Sequence, residues 1–209
     1  MDNPYARKWM RTDQFVDDLE QALLSAAVAC IETLSRDAAG EQVYAFCLYS
    51  TSGCTGVGFA AQTSEALDRA NNARERDQRA GFANLVCADE WSFIYMDAES
   101  LVPADQLIDE FYDVLYHGDF EDVVLADDAP PAELQTFVDD LFCRVFVRVF
   151  LALKAAGAFD AAIFTEDVFL GLQFADASDH DASLIERVSA QVNSVAWHED
   201  VRLYRSYLG

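Results

Sequence analysis

The sequence predicts an α+β fold, with a central, mostly antiparallel sheet packed by long helices in a single domain of residues 1–209. Several long segments carry apolar residues at three- and four-residue steps, which is the period of an amphipathic helix. Other segments are short, apolar and rich in aromatic residues, as buried strands are. The two kinds of segment are mixed without regular alternation, which favours α+β over a doubly wound parallel sheet.

The first helix is predicted from Thr12 or Asp13 to about Arg36, because polar residues that can cap a helix precede one continuous apolar stripe. The stripe consists of Phe15, Leu19, Leu23, Ala26, Cys30 and Leu34. All of them recur at helical spacing, so this face is expected to pack on the core.

A β-hairpin is predicted next. Val43–Tyr49 is apolar on both alternating faces, which indicates a strand buried on both sides. Residues 50–56 have the composition of a turn, and residues 57–62 form a second apolar run. A further helix is expected from residue 63 or 64 to about residue 78.

From residue 85 onward, the sequence predicts three helices and one strand. Segment 85–96 comes first and alternates aromatic residues, but its state stays open. The helices are expected over 103–116, 131–156 and 181–196, and a third clear strand over 168–175. The tail to Gly209 is expected to pack against the domain.

The charge distribution is the most informative functional feature. The formal net charge is −23, and sixteen carboxylates with no lysine or arginine lie between Arg79 and Arg144. Such a field attracts basic surfaces and repels nucleic acid and anionic membranes. A basic protein is therefore the expected partner. Residues 1–10 lack the apolar segment of a signal peptide, so we expect a cytoplasmic protein.

Part of this charge lies on the predicted helix 103–116. Asp105, Asp109 and Asp113 follow at four-residue steps and line one stripe opposite the apolar face. Like charges at this spacing cost a helix about 0.2–0.5 kcal/mol per pair. The stripe is either a docking face for a basic partner, which would relieve the repulsion, or a plain solvated face.

An acidic loop and one aromatic residue complete the predicted partner-binding set. The spacing of the loop acids is irregular and lacks the pattern of a calcium-binding loop. Trp91 lies beside Glu90 and is either a contact residue or a core residue. The loop acids are Asp119, Glu121, Asp122, Asp127 and Asp128.

Residues 176–181 offer an alternative, enzymatic interpretation. Asp176, Asp179, His180 and Asp181 follow a strand, and carboxylates beside a histidine can bind a metal or perform acid–base chemistry. The same residue types suit the N-cap of the following helix. We assign no catalytic residue, metal ligand or cofactor from the sequence.

Several short motifs resemble a bacterial family known as domain of unknown function 4303. They cover most of the chain, about residues 13–180, and imply no catalytic residues, since the family has no established activity. Some relatives are thought to neighbour toxin–immunity genes, which implies a protein that binds and blocks a partner. The motifs are Tyr44-Ala45-Phe46, Leu48-Tyr49, Gly58-Phe59-Ala60-Ala61, Thr63, Glu90-Trp91, Ala152-Leu153, Gly157, Phe159, Phe174-Ala175-Asp176 and Ser178-Asp179.

Three functional hypotheses follow. The first is an acidic binding protein, of the immunity type, that engages a basic protein partner. The second is a small hydrolase or metal-dependent enzyme that uses residues 176–181. The third is that the acidity reflects solubility or adaptation to salt alone.

Overall fold

The computed structural model describes residues 12–73, 86–88, 91–117, 132–175 and 177–208. Within these ranges it contains α-helices and a four-stranded sheet. The helices are α1 (Thr12–Asp37), α2 (Ser64–Ala73), α3 (Val102–His117), α4 (Ala132–Ala155), α5 (Asp179–Val192) and α6 (Val195–Leu208). The strands are β1 (Val43–Ser50), β2 (Val57–Thr63), β3 (Phe93–Tyr95) and β4 (Phe164–Phe174).

The sheet has the order β3-β2-β1-β4 and is mostly antiparallel, as the sequence predicts. β1 and β2 form the expected hairpin, and β3 adds to β2 in the antiparallel sense. β4 pairs with β1 in parallel, so that Ser50 and Phe174 lie side by side where both strands end. The carboxyl ends of these two strands therefore meet at one end of the sheet.

One face of the sheet is covered by α1, α3 and α4. The rings of Phe46 and Phe59 stack at 5.2 Å between centroids under this layer. Phe15 of α1 stacks on Phe111 of α3, and both meet the edge of Phe142 in α4. These contacts follow from the predicted apolar stripes, because each helix turns its apolar face towards the same centre.

The opposite face of the sheet is covered by α6 and by the short segment that contains Trp91. Every residue of β1 is buried, so the prediction of a strand covered on both sides is confirmed. Tyr44 stacks on Trp197 of α6 at 6.0 Å. Trp91 is 5% exposed, and its ring meets Phe169 of β4 edge-on. Trp91 is thus a core residue, which corrects its prediction as a partner contact.

The end of the chain differs from the predicted single helix over 181–196. Helix α5 ends at Val192, and Asn193 adopts an extended conformation. The Ser194 hydroxyl accepts a hydrogen bond from the backbone N–H of Trp197, which starts α6. The break arises because the Asn193 side chain is held by the backbone of Leu170, a tertiary contact that local sequence patterns do not contain.

The start of β4 is a further prediction that is wrong in detail, and the ion pairs of α4 connect it to other helices. Strand β4 begins at Phe164, four residues before the predicted start at Val168, because the strand continues past exposed polar residues. Arg144 does not pair with Asp140 one turn before it. Instead Arg144 contacts Asp13 of α1 at 3.4 Å, while Asp140 contacts Arg187 of α5. Both ion pairs connect neighbouring helices.

Candidate functional site

The candidate site lies at the end of the sheet where β1 and β4 finish. The turn after β1 contains a 3-10 helix, Ser52–Cys54, and it faces the start of α5. The last turn of α3 and the first turn of α4 reach the same place. Loops at the carboxyl ends of parallel strands, supported by helix ends, commonly form binding sites.

A cavity of about 130 Å³ opens among these elements. One wall is apolar and aromatic, and it comes from α3 and α4. The other wall is polar and comes from the turn after β1. The lining residues are Ser52, Gly53, Thr55, Tyr112, Leu115, Tyr116, Leu134, Gln135 and Val138.

Two tyrosines of α3 dominate the aromatic wall. The rings of Tyr112 and Tyr116 stack at 5.9 Å between centroids, with an angle of 20° between their planes. The Tyr112 hydroxyl donates a hydrogen bond to the backbone carbonyl of Gly53, which joins α3 to the turn. Tyr116 remains 39% exposed. The cavity therefore has one fixed ring and one accessible ring.

Asp181 organises the polar wall. Its Oδ2 accepts hydrogen bonds from the Ser52 hydroxyl at 2.8 Å, the Ser178 hydroxyl at 2.6 Å and the Ser178 backbone N–H at 3.0 Å. Burial would raise the pKa of Asp181, but these bonds and one from the backbone of Gly53 outweigh it and lower that pKa below its usual value. Asp181 is therefore a structural anion that anchors the turn to α5.

Cys54 is the last residue of the 3-10 helix after β1, and its backbone has a φ of +59°. Non-glycine residues seldom adopt this conformation. Burial raises the pKa of the Cys54 thiol well above its usual value, and the nearby Asp139 and Asp181 carboxylates raise it further. The thiol thus stays protonated at neutral pH, which argues against a role as nucleophile.

Asp139 of α4 extends the polar cluster towards the solvent. Its Oδ2 lies 2.8 Å from Nε2 of His180, and its Oδ1 accepts a hydrogen bond from the Gln135 amide at 3.1 Å. Ser178 and Asp181 form a capping box at the start of α5. The residues of the alternative enzyme hypothesis that the structure describes therefore cap a helix and contact α4. Asp176 and the side chain of Asp179 lie outside the described residues.

The predicted acidic stripe on α3 is present. Asp109 and Asp113 are exposed, whereas Asp105 is half-buried and accepts a hydrogen bond from the backbone N–H of Val57. Burial raises the pKa of Asp105, and the neighbouring carboxylates of Asp109 and Asp97 raise it further, against the hydrogen bond from Val57. The raised pKa therefore follows mainly from the partial burial of Asp105, with a smaller contribution from the neighbouring acids.

The basic residues of the described part of the chain are paired elsewhere. Arg144 and Arg148 contact acids of α1, and Arg187 contacts Asp140 of α4. Arg69 pairs with Glu41, and Arg202 contacts acids of α5 and α6. Within the same described ranges, no lysine or arginine forms a salt bridge with an acid of α3. The salt-bridged arginines of the described ranges thus pair with acids of other elements.

The other predicted partner-binding acids cannot be placed on this surface. Asp119, Glu121, Asp122, Asp127 and Asp128 lie outside the described residues. The flanking residues Tyr116 and Leu134, on either side of that segment, both line the cavity.

Sequence reasoning missed the residues that form the cavity itself. Tyr112 belongs to the predicted apolar face of α3, and Gln135 and Val138 fall inside a predicted helix, so nothing local marks them as a site. Four segments remote in sequence meet here, and their meeting depends on the tertiary fold.

Membrane-spanning helices and metal-binding clusters are both absent from the residues that the structure describes. None of the helices in the described ranges is sufficiently long and apolar to cross a membrane. Across the same ranges, no group of three or more histidine, cysteine, aspartate or glutamate side chains is arranged to hold a metal ion.

Comparisons with known proteins place the chain in a family. The searches of curated proteins and of solved structures gave no significant match. A family model described as a domain of unknown function, DUF4303, matches residues 23–194, which include both walls of the cavity and helix α3. This chain therefore belongs to the DUF4303 family.

Proposed function

We propose that this chain is a cytoplasmic binding protein that engages a basic surface of a protein partner through α3. The proposed contact surface, called the acidic face below, consists of Asp105, Asp109 and Asp113. An immunity-type protein that blocks its partner is the form we favour, because the family resemblance implies relatives that neighbour toxin–immunity genes.

The observation that carries the proposal is the separation of charge over the surface. Asp17 of α1, Asp140 of α4 and Glu186 of α5 have arginine partners, while the acids of α3 have no lysine or arginine partner among the described residues. Exposed like charges along a helix are unfavourable without a counter-charge. A basic partner supplies that counter-charge and gains a faster, oriented encounter.

The ends of α3 provide apolar contact area beside the acids. Val102 at its start is 46% exposed, and Tyr116 at its end is 39% exposed. Interfaces draw most of their affinity from a few buried aromatic and apolar anchors, whereas charges mainly affect the association rate. The arrangement thus combines electrostatic attraction with apolar anchoring on one helix.

The proposal is tested with the double variant Asp109→Lys/Asp113→Lys. The wild-type chain is used to capture a partner, beginning with products of the adjacent genes, and association is then measured between about 0.05 and 0.5 M salt. Association of the variant is expected to be at least about tenfold slower at low salt, with a flatter salt dependence.

The matched control is Asp68→Lys/Glu166→Lys, which changes the net charge equally. Asp68 and Glu166 are exposed and lie on α2 and β4, away from α3. If both double variants associate equally slowly, overall charge rather than the acidic face governs the encounter. Unchanged kinetics in the α3 variant would remove the proposal. Charge reversal at Asp119, Glu121 and Asp122 stays a separate prediction of the same kind.

A further inference from the structure

We propose that the cavity between α3, α4 and the turn after β1 receives one arginine side chain of the partner. This inference rests on the proposed function and names the anchor of the same contact. The cavity adjoins the C-terminal end of the acidic face, since Tyr112 and Tyr116 line it and Asp113 lies between them in the same helix.

The size of the cavity fits one side chain. Its volume is about 130 Å³, somewhat below the roughly 150 Å³ of an engineered cavity that binds benzene. A guanidinium group with part of its methylene stem is of this order. A whole cofactor or a folded peptide segment is much larger, so the cavity selects a single protruding group.

The walls suit a planar cation with an apolar stem. The exposed Tyr116 ring offers a face for a guanidinium group to stack on, and cations are attracted to such faces within about 6 Å of the ring centre. Leu115, Leu134 and Val138 can contact the methylene groups of the stem. An arginine side chain has both parts that these walls can contact, a planar guanidinium head and an apolar methylene stem.

Hydrogen-bond acceptors lie on the other side of the cavity. The Gly53 carbonyl accepts one bond from Tyr112, and a carbonyl oxygen has capacity for a second. The Gln135 amide nitrogen is directed to Asp139, and its oxygen has no hydrogen-bond partner within the described ranges. Arginine has five donors in a fixed plane, so it can serve several acceptors at once, which a lysine ammonium does less well.

The charge around the cavity also favours a cation. The Asp139 carboxylate is close enough to contribute to the raised pKa of Tyr112, which follows mainly from burial. Asp139 and Asp181 likewise add to the raised pKa of the Cys54 thiol, which also follows mainly from burial. The N-terminal end of α4 carries a partial positive charge, which disfavours a cation. Glu133 in the first turn of α4 and the partial negative charge at the C-terminal end of α3 offset it.

Short peptides test the cavity without the partner. The probes are acetylated, amidated pentapeptides Gly-Ser-X-Ser-Gly, in which X is arginine, citrulline, lysine or norleucine. Binding is followed by NMR through the ring signals of Tyr116. The arginine peptide is expected to bind at least about tenfold more tightly than the neutral, nearly isosteric citrulline peptide. Equal binding of the arginine and norleucine peptides would overturn the inference.

Variants of Tyr116 locate the binding site. Tyr116→Ala is expected to weaken binding of the arginine peptide at least about fivefold, followed through the Gln135 amide signal, while Tyr116→Phe keeps the ring and the affinity. Leu151→Ala truncates an exposed apolar side chain of α4 that does not line the cavity, so it is the control and should leave binding unchanged. Unaltered binding in Tyr116→Ala would place the arginine elsewhere and overturn the inference.

Kinetics with a captured partner separate this inference from the proposed function. Tyr116→Ala is expected to raise the dissociation rate and leave the association rate unchanged, whereas Asp109→Lys/Asp113→Lys lowers the association rate. A normal dissociation rate in Tyr116→Ala, with slow association in the acidic-face variant, would overturn the cavity inference and retain the proposed function. If the arginine peptide binds at Tyr116 but the acidic-face variant associates normally, the cavity inference is retained and the proposed function is overturned.

Two other occupants of the cavity are possible results of these experiments, a second copy of the chain and a segment of the same chain. Self-association of the chain in sedimentation experiments, abolished by Tyr116→Ala, would assign the cavity to a second copy. Binding of the arginine peptide only after residues 119–128 are replaced by a glycine–serine linker would assign it to the chain itself. Either result would overturn the inference.

Discussion

Asp181 shows how one buried carboxylate can determine the shape of a site. It is 2% exposed and accepts four hydrogen bonds, two from the turn after β1 and two from Ser178 at the start of α5. A buried carboxylate without partners would be protonated, but here the donors keep it charged. The turn that forms the polar wall of the cavity therefore depends on a residue that does not line the cavity.

Asp181→Asn is expected to destabilise the protein by about 1–3 kcal/mol at neutral pH, because a charged acceptor is replaced by an amide whose NH₂ faces donors. The pKa of Asp181 is lowered by folding, so its stabilising effect is present above about pH 4. That effect is lost as the pH falls through the folded-state pKa. Urea unfolding between pH 3 and pH 7, a range that includes the usual aspartate pKa of about 3.9, measures this loss.

The control for Asp181 is Asp109→Asn, which removes an exposed carboxylate of the same type. Its free energy of unfolding should differ from that of the wild type by less than about 0.5 kcal/mol. A stability difference between wild type and Asp181→Asn that stays constant down to pH 3, well below the usual aspartate pKa, would contradict the proposed origin of the effect.

Gly58 is a second position where one residue is decisive. A Cβ atom there would lie 2.4 Å from the backbone oxygen of Tyr95 and 2.6 Å from the sulfur of Met96, so β2 and β3 could not pair as closely. Gly58→Ala is expected to cost about 1–3 kcal/mol, a typical overpacking penalty. Gly56→Ala is the matched control, since its Cβ would meet its nearest neighbour at 3.8 Å. Thermal unfolding of both variants checks this, and equal melting temperatures would contradict the close approach.

At the scale of elements, the junction between α5 and α6 protects the edge of the sheet. β4 is an edge strand, and the Asn193 side chain accepts a hydrogen bond from the Leu170 N–H at 2.8 Å and donates one to its carbonyl. The Trp197 indole donates to the Asp167 carbonyl on the same strand at 3.1 Å. Side chains thus satisfy backbone groups that an open edge would offer to another chain.

Asn193→Ala is expected to lower the free energy of unfolding by about 1–3 kcal/mol, because it leaves the Leu170 backbone groups without partners. The exposed edge should also increase aggregation, measured by light scattering during thermal unfolding. Gln191→Ala, in the exposed last turn of α5, is the control with little expected effect. A stable, monomeric Asn193→Ala protein would show that the junction has no protective role.

The same junction shows where sequence reasoning succeeds and fails. Helix α1 and strand β1 were predicted correctly, because a long apolar stripe at helical spacing indicates a helix, whereas a short apolar run rich in aromatic residues and followed by a turn favours a strand. The separate helix α6 was not predicted, although Trp197, Val201 and Tyr204 recur at helical spacing. The break before it depends on Asn193 binding a strand 23 residues away in sequence, which no local pattern reveals.

At the scale of the molecule, the acidic stripe of α3 follows directly from sequence, but the cavity does not. Helical periodicity puts Asp105, Asp109 and Asp113 on one face of any helix. The pairing of arginines with other acids needed the packing of α1, α4 and α5 to be known. Which acids have arginine partners is therefore a property of the tertiary structure, and the proposed function depends on it.

The net charge of −23 gives the last prediction, which concerns stability against salt. The Debye length falls from about 30 Å at 0.01 M salt to about 8 Å at 0.15 M, so repulsion among unpaired acids is screened over this range. The melting temperature is expected to rise by about 2–4 °C, equivalent to ~1 kcal/mol for a chain of this size. Asp109→Asn/Asp113→Asn should show a smaller rise.

Asp13→Asn/Asp17→Asn is the control for this experiment, because it removes two charges that are paired with Arg144 and Arg148. If repulsion is concentrated on α3, only the α3 variant melts at a higher temperature than the wild type in low salt. Equal behaviour of the two variants would mean that the acids act as one uniform field. A rise that continues to about 1 M salt, where the Debye length is only about 3 Å, would instead favour adaptation of the whole surface to salt.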